Sequence, residues 1–466
     1  MQITITNPLW LLLLLVFPAL LLVLIVLMIK PILRYVVGKQ VSNVVGRLMS
    51  DKYTQNLAEL LPAGKRISDL NILEIGQRAQ TGQVVTRPIG SPRQFAGYDN
   101  LMFVAPQMAR LSLPENTQVD MRVTIGPKAA KPLVIGIPLM ISAMAYGIAL
   151  SEEAKRALAR AAKILQTVTC SGEGPFLPEE RQEAGKYVLQ ICRWAWGARN
   201  HEQISSADML EVQMGQGADM GSSRVEAVEF AGRAQALSGL APGQPAIAFP
   251  APPGIQNSGD WPSFMKNLRQ KANGVPIALK LMATGRIEED LAAAADLGFD
   301  AVVIDGAQGG SHASTAIKQD DFGLPSLNAL VRTERFLQSR GVRDRISLIV
   351  AGGYFTPGQC LKALSLGADA VYLATVPLLA LTHGQLGKVI PWEPPTTLVF
   401  YDSRDKTKLD INQATTSVVN TITSMVLEME EGIRALGRAS LKELSPDDLV
   451  ALDSVTADVT GVKRVY

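Results

Sequence analysis

VPIALKLM (275–282), AVVIDGAQGG (301–310), ISLIVAGG (346–353) and AVYLAT (370–375) decide the fold of this chain. Each is a short apolar run, two of them run straight into adjacent glycines, and helix-like segments separate them. Strands buried on both faces read as continuous apolar runs of this kind, and their alternation with helices marks parallel βαβ units. Working outward, the rhythm begins at PLVIGIPLMIS (132–142) and continues at 165–169, 187–192 and 209–214. That makes eight strands, the count of a (β/α)8 TIM barrel, expected over 131–381. SEEAKRALARAAKIL (151–165) reads as a helix with Ser151 as N-cap and acids in its first turn, and further helices are expected at 288–297 and 357–366. AIAFPAPPG (246–254) is a ninth apolar run, but its prolines make it a poor central strand. It is placed in an insertion between the fourth and fifth strands.

The flanks differ from the barrel. Leu9 to Ile29 carries no charge, and as a helix it would span roughly 30 Å, the thickness of a bilayer core. Lys30, Arg34, Lys39 and Arg47 follow it and no basic residue precedes it, so the positive-inside bias puts everything after residue 30 in the cytoplasm. Residues 1–30 are expected to be a single-pass transmembrane anchor and 31–130 a stalk and lead-in, helical at first and hairpin-like around VDMRVTI (119–125). Residues 382–466 leave the pattern and are expected to form a helical extension, with one long helix over 409–437 ended by Gly437. The 466 residues carry a net charge of +2, from 45 basic and 43 acidic side chains, which gives no reason to expect a nucleic-acid partner. Cys170, Cys192 and Cys360 lie too far apart to suggest a metal site, and none is expected.

Chemistry is concentrated at the strand ends. Gly309-Gly310 and Gly352-Gly353 stand at the C-terminal ends of two strands, where free backbone N–H groups can close around a phosphate. Lys280 sits inside a strand and shares a face with Ala278 and Met282, while Ile277, Leu279 and Leu281 take the more aliphatic, helix-covered face. Lys280 is therefore expected to point into the barrel. A structural ion pair is one reading of such a lysine. The other is a cation that stabilises negative charge on a phosphate-bearing cofactor, for which flavin mononucleotide (FMN) fits best. His312, beside the first glycine pair, is a candidate contact for cofactor or substrate. Trp194 and Trp196 could wall a flavin ring, with aromatic packing the simpler reading.

The order of several motifs resembles the FMN-binding synthase domain of the glutamate synthase large subunit, over about residues 87–381. SAMAYG (142–147), SGEG (171–174), GQGA (215–218), ALKL (278–281), QGGSHAS (308–314) with IKQDDFGLP (317–325), AGG (351–353) with TPGQ (356–359), and GADAVYLAT (367–375) carry it. The resemblance implies reduction of the imine of 2-oxoglutarate and ammonia to L-glutamate. It implies that Ala143 and Met144 line the flavin, that Lys280 faces it, and that Gly309, Gly310, Gly352, Gly353 and Thr375 hold its phosphate. Glu173 is the candidate to face the substrate, with Arg193 or Arg233 as a clamp for its carboxylates. Two departures stand out. Gln213 and Glu211 occupy positions where the family has a substrate-side lysine and its neighbouring glutamine, and Gln213 is taken as a site residue on that ground. The three cysteines of the family's iron–sulfur cluster have no counterpart after Cys360, so no cluster is expected. A membrane anchor stands where the family's N-terminal glutaminase would begin, so ammonia, free or from a partner protein, is the expected nitrogen source. An electron-donating partner is expected as well. The alternatives are an FMN-dependent oxidase or dehydrogenase of another amino or hydroxy acid that feeds a membrane carrier, and a non-catalytic barrel scaffold.

Overall fold

The computed structural model describes residues 8–87, 89–312 and 314–466, with side chains described from Val16 onward. The chain divides into two compact units, Met1–Val85 and Thr86–Tyr466. In the first, one helix runs from Pro8 to Ser50 with Pro18 and Pro31 inside it. Its segment Val16–Ser50 is long and apolar enough to cross a membrane. Pro31 forfeits one amide bond without ending the helix, so no break separates the expected anchor (1–30) from the expected stalk. Two short helices follow, Leu60–Ile67 and Asp69–Thr81. Ser68 caps the second, its Oγ accepting from the Asn71 amide, and Gly82 ends it at φ 64°.

In the second unit, eight parallel strands close a barrel: β1 (Leu139–Ile141), β2 (Val168–Cys170), β3 (Lys186–Ile191), β4 (Met209–Gln213), β5 (Ile277–Met282), β6 (Ala301–Asp305), β7 (Ser347–Ala351) and β8 (Ala370–Leu373). Each pairs with its sequence neighbour, and β8 returns to β1. The eight expected strands are the eight observed. β2 starts three residues later than expected, because Leu165 is still the C-cap of the helix Glu152–Ile164 and Gln166 turns the chain at φ 53°. The outward faces of the strands pack with the helices in one large apolar core that includes Ile277, Leu279 and Leu281. The inward faces form a second core, with Met140, Val168, Val188, Met209, Ala278, Val303 and Ile349.

The lead-in supplies the barrel's floor. Val123–Ile125 and Leu133–Ile135 form an antiparallel hairpin whose Ile125, Leu133 and Ile135 belong to the inward-facing core. PLVIGIPLMIS thus holds two strands, the second arm of this stopper and β1. Beyond the barrel, Asp410 caps the helix Ile411–Ala435, which packs on the helix Glu152–Ile164, and Gly437 follows at φ 69°. The C-terminal extension is not wholly helical, since Leu449–Ala451 pairs antiparallel with Leu101–Phe103 of the lead-in.

Candidate active site

The C-terminal mouth of the barrel opens on two adjoining cavities that share Ala143, Gln216, Gly310, Ala374 and Thr375. The first is floored by Lys280, Asp305 and Tyr372 and walled by Gln308, Gly309, Gly310, Gly352, Gly353 and Thr375. Gly352 and Gly353 turn the chain at φ 97° and 80°. A Cβ on Gly352 would lie 2.8 Å from the Gly306 backbone, and one on Gly353 2.5 Å from Gln308 Cβ. Only glycine lets the loops after β6 and β7 approach this closely. Thr375 opens the helix Thr375–Thr382, so the first amides of that helix are free of intrahelical partners at the cavity wall.

Lys280 lies at the base of this cavity, 1% exposed, on the inward face as the alternation predicts. Its Nζ is 3.5 Å from Asp305 Oδ2 and 5.9 Å from the centre of the Tyr372 ring. Burial acts to lower its pKa, but Asp305, Glu211, Cys170 and Glu173 outweigh burial and hold the ammonium above its ordinary value. Asp305 Oδ1, also buried, has no partner among the described residues. A charged ammonium with one long contact and a neighbouring orphaned oxygen is a site built around something else that donates and accepts.

The second cavity is lined by Met144, Ile148, Leu150, Glu173, Gln190, Trp194, Gln216, Asp219, Ser223, His312 and Phe400, among others. Its walls are fastened from behind. Lys155, fully buried and paired with Glu180 at 2.9 Å, donates to the carbonyls of Met144 (2.7 Å), Cys170 (2.9 Å) and Ser171 (3.2 Å). That ties the turn 142–147 to the turn 171–174. Glu173 Oε2 accepts from Trp194 Nε1 at 2.7 Å, and its carbonyl accepts from Trp196 Nε1 at 2.9 Å. Trp194, Trp196 and Phe230 form a near-parallel stack, with centroids 5.4 and 5.3 Å apart. Burial and the nearby Asp219 push the Glu173 carboxyl up to about 7, against the pull of Trp194, Arg193 and Lys280. Burial lowers His312, with Asp402 and Glu229 opposing, so its imidazole is more readily neutral.

The structure therefore brings together Ala143, Met144, Glu173, Lys280, Gly309, Gly310, His312, Gly352, Gly353 and Thr375. Three expected site residues fall elsewhere. Arg233 sits on the surface, held by Glu152 and Glu179, and lines neither cavity. Arg193 lies behind the wall with all three guanidinium nitrogens engaged, Nε on Gln213, Nη1 on the Gly221 carbonyl and Nη2 on Asp219 at 2.9 Å. Three of its five N–H donors are spent on these partners and the side chain lines neither cavity, so it is placed as a support of the wall and not as a carboxylate clamp. Gln213 is buried beneath the cavity as a partner of that arginine. Glu211 is likewise internal, accepting from Gln190 Nε2 (2.6 Å) and Tyr372 OH (3.1 Å). Sequence reasoning missed Gln190, Gln216, Asp219, Ser223 and Asp305. Asp305 had left a signal, as the charged end of an apolar strand, and Gln216 lies within the GQGA motif (215–218) with Asp219 next to it; Gln190 and Ser223 come from positions with no local mark.

A family model described as the conserved region in glutamate synthase matches residues 93–439. The chain belongs to the glutamate synthase family. A glutamate synthase large subunit-like protein of Rhizobium meliloti is 30% identical over 414 residues, covering 84% of this chain and 93% of that one. An archaeal-type glutamate synthase [NADPH] of Dehalococcoides mccartyi is 30% identical over 66% of this chain and 65% of its own length. An archaeal glutamate synthase [NADPH] of Methanocaldococcus jannaschii is 26% identical, covering 84% of this chain and 83% of that one. Among solved structures, a flavocytochrome b2 mutant with pyruvate bound is similar at 18% identity, with a TM-score of 0.49 over 76% of each chain. Membership of the glutamate synthase family makes this barrel an enzyme, an oxidoreductase of the glutamate synthase type.

Proposed function

We propose that the chain binds FMN in the two adjoining cavities and reduces the imine of 2-oxoglutarate and ammonia to L-glutamate. The observation that carries this reading is Lys280, a buried ammonium at the base of a glycine-walled cavity with only a 3.5 Å contact to Asp305. The cavity fits the cofactor on its donor set. The amides of Gly310, Gly352, Gly353 and Thr375 suit a phosphate, and Ala143 and Met144 offer an apolar wall for the ring. FMN supplies two-electron chemistry that no side chain has. The protein's own contributions are positional and electrostatic. Lys280 offsets negative charge at the cavity floor, while Lys155 fixes Met144 and the Glu173 turn relative to one another. Glu173, poised near neutral pH, exchanges a proton with the reacting nitrogen or oxygen. Ammonia arrives free or from a partner, and a partner supplies electrons.

The helix Pro8–Ser50 would anchor this activity to a membrane, with the barrel on the side of the basic residues that follow residue 29. The test is the visible spectrum of the protein purified in detergent, before and after reductant, with product analysis from 2-oxoglutarate and ammonium. Protein that stays colourless after incubation with FMN refutes the reading. A second reading is favoured by one observation: among the described residues, no arginine or lysine lines the cavity that holds Glu173. That suits a substrate other than a dicarboxylate, oxidised or reduced at the same flavin. A screen of amino and hydroxy acids for flavin reduction separates the two.

A further inference from the structure

The cavity beside Glu173 is rich in acceptors. Glu173 and Asp219 both line it, and Asp219 is near enough to raise the Glu173 carboxyl. Two carboxylates facing one small cavity repel unless a cation or a proton lies between them. Arg193 offsets part of that repulsion through its pair with Asp219, but it approaches from behind the wall and does not line the cavity. Lys318 Nζ stands 4.0 Å from Asp219 Oδ1 but donates to the Ser222 carbonyl and does not line the cavity. Ser223 Oγ, which also lines the cavity, donates to Asp219 Oδ1 at 2.9 Å.

An independent observation points the same way. Gln190 is 1% exposed and lines this cavity. Its Nε2 donates to Glu211 at 2.6 Å, which fixes the amide's orientation, and its Oε1 has no partner among the described residues. A buried carbonyl oxygen left without a donor is destabilising. Glu173, Asp219 and Gln190 thus line one space; Gln190 Oε1 has no donor among the described residues, and the carboxylates, already bonded to Trp194, Arg193 and Ser223, keep further lone pairs for an N–H.

We propose that Glu173, Asp219 and Gln190 form a subsite that binds the nitrogen donor in its protonated form, as ammonium or a small primary ammonium R–NH3+. A tetrahedral ammonium can donate to three oxygens at once and adds positive charge on the cavity side, where neither Arg193 nor Lys318 reaches. The apolar wall of Ile148 and Leu150 leaves room for R to be hydrogen or a small alkyl group. The chemical use of the subsite rests on the glutamate-forming reading above, whereas its binding does not. In use, Glu173 takes one proton from R–NH3+, and the freed amine adds its lone pair to the carbonyl carbon of the oxo acid. Glu173 then returns the proton to the hydroxyl of that adduct, which leaves as water. The products are an iminium and a carboxylate, and no electrons move in this half of the reaction.

The test uses the full chain in detergent, flavin-free and flavin-loaded. The probes are ammonium and methylammonium chloride, compared with sodium and tetramethylammonium chloride at equal ionic strength. The unfolding midpoint is expected to rise by a few degrees with ammonium, with or without a response to methylammonium, and not with the controls. Glu173→Gln and Asp219→Asn should abolish the rise. If Asp219→Asn, which strips Arg193 of its partner, does not fold, the isosteric Glu173→Gln decides alone. In turnover, Glu173→Gln should raise KM for ammonium by about tenfold or more and leave KM for 2-oxoglutarate within about threefold. No ammonium-specific shift, or equal rises in both KM values, overturns the subsite. A shift without turnover on any nitrogen donor upholds the subsite and counts against the glutamate-forming reading. Turnover without the shift leaves that reading standing and removes the subsite.

Discussion

The two halves of the barrel mouth are built from different material. The glycine-walled half is backbone, with Gly309-Gly310 after β6, Gly352-Gly353 after β7 and the start of a helix after β8. The half around Glu173 is side chains drawn from the turns after β1 and β2, the end of β3, the loop after β4 and the loop after β6. A phosphate can be held by any residue whose chain bends correctly, so that half tolerates substitution only in shape. The other half tolerates it only in charge. This division suits a cofactor that stays and a substrate that is exchanged.

The largest effect is expected at the floor of the glycine-walled half. Lys280→Met should cut the rate of substrate turnover by about a hundredfold to a thousandfold while the protein keeps some flavin, read by stopped-flow and by bound-flavin absorbance. Unchanged kinetics would reduce Lys280 to a structural ion pair with Asp305. Next come the backbone walls of that half. Gly352→Ala places a Cβ 2.8 Å from the Gly306 backbone at φ 97°, and flavin content should fall by about tenfold or more. Gly358→Ala, at a position with nothing within 4 Å of its Cβ, is the matched control and should retain its flavin.

The charged half has a pH signature. The Glu173 carboxyl, at about 7 in the fold against an ordinary value near 4.5, favours the native state fully below that ordinary value. It loses that contribution as pH rises through 7. Glu173→Gln should therefore stabilise the flavin-free protein by up to roughly 3 kcal/mol at pH 8 and by little below pH 5, measured by denaturant melts. The groups facing Glu173 are Asp219, Trp194, Arg193 and Lys280. A rate that depends on deprotonated Glu173 should climb through pH 7 and lose that limb in the variant. The smallest effect is expected at Arg233, whose exposed pairs with Glu152 and Glu179 lie away from both cavities. Arg233→Ala should change KM for the oxo acid by less than about twofold. A larger rise would restore it as a carboxylate clamp.

How much was legible follows the same division. Apolar runs ending in glycine exposed the barrel, because a parallel strand buried on both faces leaves no polar positions to blur its pattern. Period-two alternation was enough to aim Lys280 inward, beside Ala278 and away from Leu279. The glycine pairs stood out because a backbone site leaves a local mark. Arg193 shows where legibility ended. Its type and position suited a carboxylate clamp, but a side chain's freedom depends on its partners, and Asp219 and Gln213 lie twenty or more residues away along the chain. Gln190 gave no sign because its neighbours on β3 are ordinary strand residues, and only barrel closure brings it near Glu173 and Asp219. The split of PLVIGIPLMIS into two strands was hidden too, since Gly136 and Pro138 look like minor interruptions in one apolar run.

That split has a practical consequence for anyone dividing the protein. The hairpin 123–135 seals the barrel's N-terminal end, with Ile125, Leu133 and Ile135 buried in its interior and the Gly126 amide bonded to Ser347 Oγ at 3.0 Å. A fragment cut at residue 131, where the βα rhythm starts, would keep one arm of the seal and discard the other. Water would then enter the bottom of a cylinder whose top must stay dry enough for Lys280 to act. The smallest portable catalytic module therefore begins upstream of Val119, and grafts or permutations of this barrel should carry the seal with them.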